Sequence, residues 1–244
     1  MDGIGPRLVG TPKMKQAHDW AVNKFKSWGI DARNEQYGEW KSWERGTSSV
    51  EMVYPHVKSL EGMQLAFSPA TGAKGVTAEV IMLPTFKSKE EFNKWLPKVK
   101  GKLVMVSQYQ PSGRPEYNWK EFATPESFVK YKKETEAATR EWNQSLETLG
   151  LTWRTLNKPF EDAGAAGLVL SNWSRGFGVN KIFSAGTKKI PAVDISLEDY
   201  GQLYRMLQNG VTPKLKIVAN SKDCLLYTSP SPRDVEESRM PSSA

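Results

Sequence analysis

The chain has 244 residues, of which 39% are hydrophobic and 11% aromatic, including nine tryptophans. This composition excludes a disordered chain and predicts one large domain, or one domain with a partial neighbour, around an apolar core. The formal net charge is +7, but lysines are interspersed with glutamates instead of forming a basic stripe, so the sequence does not predict a nucleic-acid partner.

No apolar run approaches the roughly 20 residues that a membrane-spanning helix needs. The first residues, MDGIGPRLVGTPK, also lack the apolar stretch of a signal peptide. We therefore expect neither a membrane span nor a signal peptide in these 244 residues.

The first predicted element is an amphipathic helix. Thr11 and Pro12 are typical of an N-cap and first helical position, and Gly29 marks the end of the helix. Its apolar face, which includes Phe25 and Trp28, needs a partner sheet, and without one we expect these two side chains to be unusually exposed.

The rest of the chain alternates short strands with helices, which predicts an α/β (α+β) fold. The run GKLVMVS at 101–107 is typical of a strand buried on both faces. Ser88, Thr124 and Ser196 begin predicted helices, of which the longest runs to Gly150. The other predicted strands cover 30–37, 51–57, 64–67, 76–83, 168–171, 191–195 and 215–219, and an irregular stretch surrounds Trp40 and Trp43.

Candidate catalytic or metal-ligating residues are few. His18 and His56 are the only histidines, and neither lies in an H-x-D or H-E-x-x-H spacing. His18 falls on the apolar side of a helix, where packing explains it. The sequence thus predicts no catalytic, cofactor-binding or metal-binding residue in this fragment.

The remaining polar candidates have structural explanations too. The serines lack a G-x-S-x-G turn, and the Gly-containing segment Arg175–Gly178 does not follow a βαβ pattern. Glu198 and Asp199 lie in the first turn of a helix, where capping and the helix dipole favour carboxylates. The other residues considered are Asp19, Ser107, Glu161, Asp162, Ser171 and Ser196.

Three segments in order carry a resemblance to a known domain. They are KGKLVMVS at 100–107, GAAGLVL within 163–170, and IPAVDISLEDYGQL at 190–203. A short strand, a helix leading into a G-A-x-G turn, and a P-x-x-x-I strand followed by a helix are similar to the protease-associated domain. The resemblance implies a central β-sheet flanked by helices over about residues 51–219.

The N-terminal segment carries a second resemblance. Gly5, Pro6, Arg7, Gly10, Thr11 and Pro12 form a G-P-R-x-x-G-T-P pattern before a helix. This pattern resembles the start of the zinc aminopeptidase and carboxypeptidase Q-like family, in which a protease-associated domain is inserted after it. The resemblance implies two zinc ions, a peptide substrate and an extracytoplasmic location for the complete enzyme, with the zinc ligands lying beyond this fragment.

The C-terminal segment has a different character. Cys224, the only cysteine, opens CLLYTSPSPRDVEESRMPSSA, in which Ser and Pro are crowded without periodicity. The run CLLYTSPSPRD resembles the translation of a transposase-end sequencing adapter, and 238–244 resembles the flow-cell end of the same adapter. We therefore expect 224–244 to be an artefact that packs against nothing.

The resulting domain prediction has three parts. Residues 1–50 are the opening segment of an incomplete peptidase domain, 51–219 form the protease-associated domain, and 220–244 are a disordered tail. Two alternatives stay open: a free-standing protease-associated binding or sorting module, and a non-catalytic protein of the transferrin-receptor type.

Overall fold

The computed structural model describes residues 3–5, 7, 11–35, 38–173, 181 and 184–228, and for 38–42 and 224–228 it describes the backbone alone. The chain divides into two compact units. One comprises Met1–Arg45 with Ser221–Ala244, and the other comprises Gly46–Asn220. The predicted boundaries of 51 and 219 stay a prediction.

The first unit contains helix α1, Pro12–Ser27. The predicted cap is confirmed, because the Thr11 side chain accepts a hydrogen bond from the Met14 backbone N–H. No residue of α1 is buried, and the exposed fractions of Phe25 and Trp28 are 44% and 62%. The expected exposure of these two side chains is confirmed.

The segment after α1 differs from the prediction. The backbone of 30–35 forms no strand, whereas the stretch around Trp40 and Trp43, predicted to be irregular, belongs to the long strand β1, Gly38–Tyr54. Alternation of polar and apolar residues over 30–37 is a local signal, but a strand also requires a hydrogen-bonding partner.

One eight-stranded mixed sheet runs through the chain in the order β2-β1-β8-β4-β5-β6-β7-β3. Strands β4 to β7 are mutually parallel, and β2, β3 and β8 pair antiparallel with β1, β7 and β4. The strands after β1 are β2 Lys58–Leu60, β3 Gly62–Gln64, β4 Val76–Met82, β5 Leu103–Met105, β6 Gly167–Leu170, β7 Ala192–Ile195 and β8 Lys214–Thr228.

The sheet is nearly closed, because its two edge strands are consecutive in the chain. Only Glu61 separates β2 from β3. A Cβ atom on Gly62 would lie 2.9 Å from Ile195 Cγ2 of β7 and 3.2 Å from Val50 Cγ2 of β1. Side chains from opposite ends of the strand order therefore meet at Gly62, which has no room for a side chain.

Five further helices accompany the sheet. Helix α4 is capped by Thr124 and ends at Gly150, as predicted, with the Gly150 backbone in the left-handed region at φ 67°. Helix α3 was not predicted. The helices are α2 Lys89–Trp95, α3 Glu116–Phe122, α4 Pro125–Leu149, α5 Lys158–Asp162 and α6 Leu197–Gln208, and a 3₁₀ turn over Leu96–Val99 follows α2.

Two apolar clusters pack on opposite faces of the parallel strands. Along β5, Leu103 and Met105 belong to one cluster, and Val104 and Val106 belong to the other. The prediction of a strand buried on both faces is confirmed, since β5 is fully buried and its side chains alternate between faces.

The C-terminal strand is longer than predicted. The sequence predicts a last strand at 215–219 and a disordered tail from residue 220, but β8 continues to Thr228. The prediction of disorder is therefore wrong for the backbone of 220–228. The side chains of 224–228 and all of 229–244 lie outside the described residues.

Candidate functional site

A large cleft in Gly46–Asn220 lies at the carboxyl ends of the parallel strands β5 and β6. Its floor is formed by Val106–Gln108 and Leu170–Trp173, and helices α3 and α4 line its side. The cleft has a volume of about 1090 Å³. In open parallel sheets, ligands bind outside the carboxyl ends of the strands, because the loops that diverge there leave a crevice. We refer to it as the α4 cleft.

Hydrogen bonds fix the floor of the α4 cleft. The buried Tyr200 hydroxyl donates to the Ser107 carbonyl at 2.6 Å and accepts from the Ser107 N–H at 2.9 Å. The Ser107 Oγ in turn accepts from the Ser171 N–H at 2.9 Å. Burial raises the pKa of Tyr200 well above its ordinary value, so this side chain stays a neutral donor and acceptor.

Two hydroxyl groups at the α4 cleft are buried without a hydrogen-bond partner among the described residues. They are Ser171 Oγ on the floor and Thr135 Oγ1 on α4. Nearly all buried polar atoms in folded proteins are hydrogen-bonded, so these two hydroxyls are candidates for binding a water molecule or a ligand. In the sequence, Thr135 is spaced at helical intervals within an otherwise apolar face of α4, formed by Phe128, Tyr131, Ala138 and Trp142. A hydroxyl at an apolar position is the one sequence signal that points to this site.

Cations outnumber carboxylates around the α4 cleft. Lys132 pairs with Glu116 at 3.0 Å, and this contact raises the pKa of Lys132. Arg140 and Lys181 form no ion pair within the described part of the chain. The ionisable side chains that line the cleft are Arg114, Glu116, Lys132, Glu136, Arg140 and Lys181.

Aromatic rings form part of the cleft wall. Trp142 is half-buried, whereas 77% of Trp153 is exposed. Tyr131 stacks on Trp119 with ring centroids 4.5 Å apart. A smaller apolar cleft of about 450 Å³ lies beside this pair. The walls thus combine apolar contact surface with a few polar groups, which is typical of ligand sites.

The three candidate serines have separate structural roles. Ser107 and Ser171 come together on the cleft floor, and Ser196 caps α6 by accepting from the Asp199 N–H at 3.2 Å. His56 is exposed after β1, and His18 is half-buried on α1 in the other unit. The segment Arg175–Gly178 lies outside the described residues.

The carboxylates considered from the sequence are tied to protein groups. Glu161 accepts hydrogen bonds from the backbone N–H groups of Lys188, Lys189 and Ile190. Asp162 pairs with Lys158 at the surface. Asp19 accepts hydrogen bonds from the side chains of Lys15 and Asn34, also at the surface.

Asp199 makes contacts beyond the predicted ones. Its backbone N–H takes part in the helix cap, but its carboxylate accepts from Lys58 Nζ and from the Glu61 N–H, each at 2.7 Å. The interpretation of this carboxylate as a helix-dipole partner is therefore incomplete, because it also joins α6 to β2 and to Glu61, the residue between the two edge strands. Glu198, the neighbouring residue, is exposed.

Zinc does not fit the described residues. They contain no group of three or more His, Cys, Asp or Glu side chains placed to hold a metal ion. Structural and catalytic zinc sites need three or four such ligands. Among the same residues, no helix is both long and apolar enough to cross a membrane.

Comparison with known proteins places the chain near peptidases. It is 26% identical to carboxypeptidase Q of Bos taurus over 225 residues, which cover 91% of this chain and 41% of the bovine protein. Carboxypeptidase Q of Homo sapiens is 21% identical over 91% of this chain and 40% of the human protein. The chain thus spans about two fifths of these relatives. No protein-family model matches it.

Solved structures show the same relation at the level of the fold. The peptidase M28 precursor from Shewanella amazonensis superposes with a TM-score of 0.56 at 20% identity, covering 92% of this chain and 46% of that one. The zinc aminopeptidase of Bacillus subtilis superposes with a TM-score of 0.54 at 15% identity, covering 93% and 42%. The predicted similarity to carboxypeptidase Q in sequence and to zinc aminopeptidases in fold is confirmed.

Proposed function

We propose that this chain is the N-terminal part of a secreted zinc-dependent exopeptidase of the carboxypeptidase Q and aminopeptidase type. The observation that carries the proposal is the alignment with bovine carboxypeptidase Q, which extends over 91% of the chain. An alignment of that extent includes both the N-terminal helix and the sheet, so it favours a shared arrangement over a single shared domain.

Within that protein, we assign residues 1–50 to the start of the peptidase domain and 51–219 to an inserted protease-associated domain. The compact unit Gly46–Asn220 supports this division. Residues 224–244 remain, on this proposal, a translated adapter. Helix α1, with Phe25 and Trp28 exposed, would pack against the remainder of the peptidase domain.

Zinc and hydrolysis belong, on this proposal, to the whole protein. The described residues do not fit a metal ion, so the ligands for the two zinc ions are assigned to sequence beyond Asp223. The 244-residue chain contributes a domain that shapes or covers the cleft in which peptides are bound.

The test is to express both this chain and the complete reading frame from the parent DNA. After dialysis, zinc content and hydrolysis of aminoacyl and dipeptide substrates are measured for each. We expect stoichiometric zinc and chelator-sensitive hydrolysis from the complete protein, and neither from this chain.

Each other outcome identifies an alternative. A complete protein with the peptidase fold but without zinc or hydrolysis supports the transferrin-receptor type. A reading frame that ends soon after Asp223 supports a free-standing binding or sorting module. Zinc-dependent hydrolysis by the 244-residue chain would overturn the assignment of the ligands.

A further inference from the structure

We propose that the α4 cleft binds an extended peptide segment and holds a carboxylate of that segment at Arg140 and Lys181. The relation to peptidases does not by itself assign a ligand to this cleft. The proposal rests on the cleft's size, its charge and its two unsatisfied hydroxyls, all of which lie within Gly46–Asn220.

The size of the cleft fits a chain of several residues. Its volume of about 1090 Å³ is slightly above the range for small-molecule sites, about 300–1,000 Å³. It extends from α3 and residues 131–146 of α4 to the loop after β6. A single small metabolite would leave much of this surface uncovered, whereas an extended peptide would cover it.

The charge of the cleft selects a carboxylate. Four cations and two carboxylates line it, and one of each, Lys132 and Glu116, is already paired. Arg140 and Lys181 have no ion-pair partner among the described residues, so they can bind an anion without breaking an existing contact. Arginine in particular matches the planar geometry of a carboxylate.

The same wall argues against a nucleic-acid ligand. Glu116 and Glu136 lie on the helical side of the cleft with the cations. A phosphate backbone would bring a negative charge past both carboxylates at each nucleotide, and this repulsion offsets the attraction of the cations. A peptide with one or two carboxylates can meet Arg140 and Lys181 alone.

The unsatisfied hydroxyls suit a peptide main chain. Thr135 Oγ1 and Ser171 Oγ lie on the helical side and on the floor of the cleft. A hydroxyl can donate to a carbonyl and accept from an N–H, so each of these two groups, although buried in the free protein, has the chemistry to pair with a main-chain group. In the free protein the two unpaired hydroxyls lower the stability of the fold, because a buried polar atom without a hydrogen-bond partner is destabilising.

The test uses the 244-residue chain and fluorescein-labelled hexapeptides that contain either two glutamates or two glutamines, each with a free or amidated C terminus. Binding is measured by fluorescence anisotropy at low and high salt. We expect the glutamate peptide to bind about five- to tenfold more tightly than the glutamine peptide. If only the free C terminus matters, the cleft holds a terminal carboxylate instead of a side chain.

Variants locate the binding site. Arg140→Gln should weaken binding of the glutamate peptide about five- to tenfold and leave binding of the glutamine peptide unchanged. Lys133→Gln, an exposed residue of the same helix that does not line the cleft, is the matched control and should have no such effect. Equal effects of the two variants, or equal binding of all peptides, would overturn the proposal.

A third variant separates binding from folding. Thr135→Val keeps the shape of the side chain and removes the hydroxyl, so it should weaken binding while the chain unfolds at the same or a higher urea concentration. A loss of stability would mean that the hydroxyl serves the fold, and would contradict its role in binding. An oligonucleotide that binds more tightly than the glutamate peptide would also contradict the proposal. None of these readouts requires zinc or hydrolysis, so they stand or fall separately from the proposed function.

Discussion

Asp199 connects helix α6 to β2 and to Glu61, the residue between the two edge strands. Its buried carboxylate accepts from Lys58 Nζ of β2 and from the backbone N–H of Glu61. Asp199→Asn removes the charge and turns one oxygen into a donor that faces the Lys58 ammonium group. We expect the free energy of unfolding to fall by about 2 kcal/mol, because a buried charged hydrogen-bond group is left mismatched.

The preceding residue provides the control for this variant. Glu198 is exposed, so Glu198→Gln should change the free energy of unfolding by less than about 0.5 kcal/mol. Urea denaturation followed by tryptophan fluorescence measures both. Similar losses in the two variants would mean that the Asp199 contacts contribute nothing particular to the fold.

Glu161 serves a different part of the molecule. Its carboxylate accepts hydrogen bonds from the backbone N–H groups of 188–190, which lie shortly before β7. Glu161→Ala should destabilise the chain by about 2 kcal/mol, since three backbone donors lose a charged acceptor. Asp162→Ala removes only a surface pair with Lys158 and should cost less than about 0.5 kcal/mol. A smaller effect of Glu161→Ala than of Asp162→Ala in urea denaturation would refute this role.

At the scale of elements, the C-terminal end of α4 depends on backbone conformation. Gly150 has φ 67°, and the atom nearest to an added Cβ would be Lys89 Nζ at 3.8 Å. A side chain therefore has sufficient space. We expect Gly150→Ala to lower the free energy of unfolding by about 1–2 kcal/mol, because alanine disfavours the left-handed backbone. Gly150→Asn should cost less, because asparagine tolerates this conformation. Thermal unfolding of both variants tests the ranking, and equal costs would contradict it.

Local sequence signals predicted the elements that have local causes. The caps at Thr11, Ser88, Thr124 and Ser196 lie at the starts of helices, because a side-chain oxygen and its backbone N–H are only a few residues apart. The buried strand β5 was also predicted, since its apolar run is continuous.

Elements that depend on contacts between residues far apart in the sequence were not predicted. The first half of β1 looks polar and irregular in the sequence, and its assignment as a strand depends on pairing within the sheet. Helical spacing in α4 predicts an apolar face, but it does not indicate that Tyr131 and Thr135 on that face line clefts. The α4 cleft itself combines residues from 106 to 184, and only the folded topology brings them together.

At the scale of the whole molecule, the two units differ in how they are stabilised. Helix α1 has no buried residue, whereas two apolar clusters fill Gly46–Asn220. Protection from hydrogen exchange follows burial and cooperative packing. We expect amides of 14–28 to exchange much faster than those of 103–106 in a monomeric sample. Equal protection would mean that α1 has a stable partner within this chain.

The near closure of the sheet also bears on how the protein behaves at high concentration. The two edges of the sheet are β2 and β3, each only three residues long and joined through Glu61. A long free edge offers a row of unpaired N–H and C=O groups on which a second chain can add as a strand, the first step towards amyloid. With such short edges beside each other, β2 and β3 themselves give an incoming strand little template for pairing.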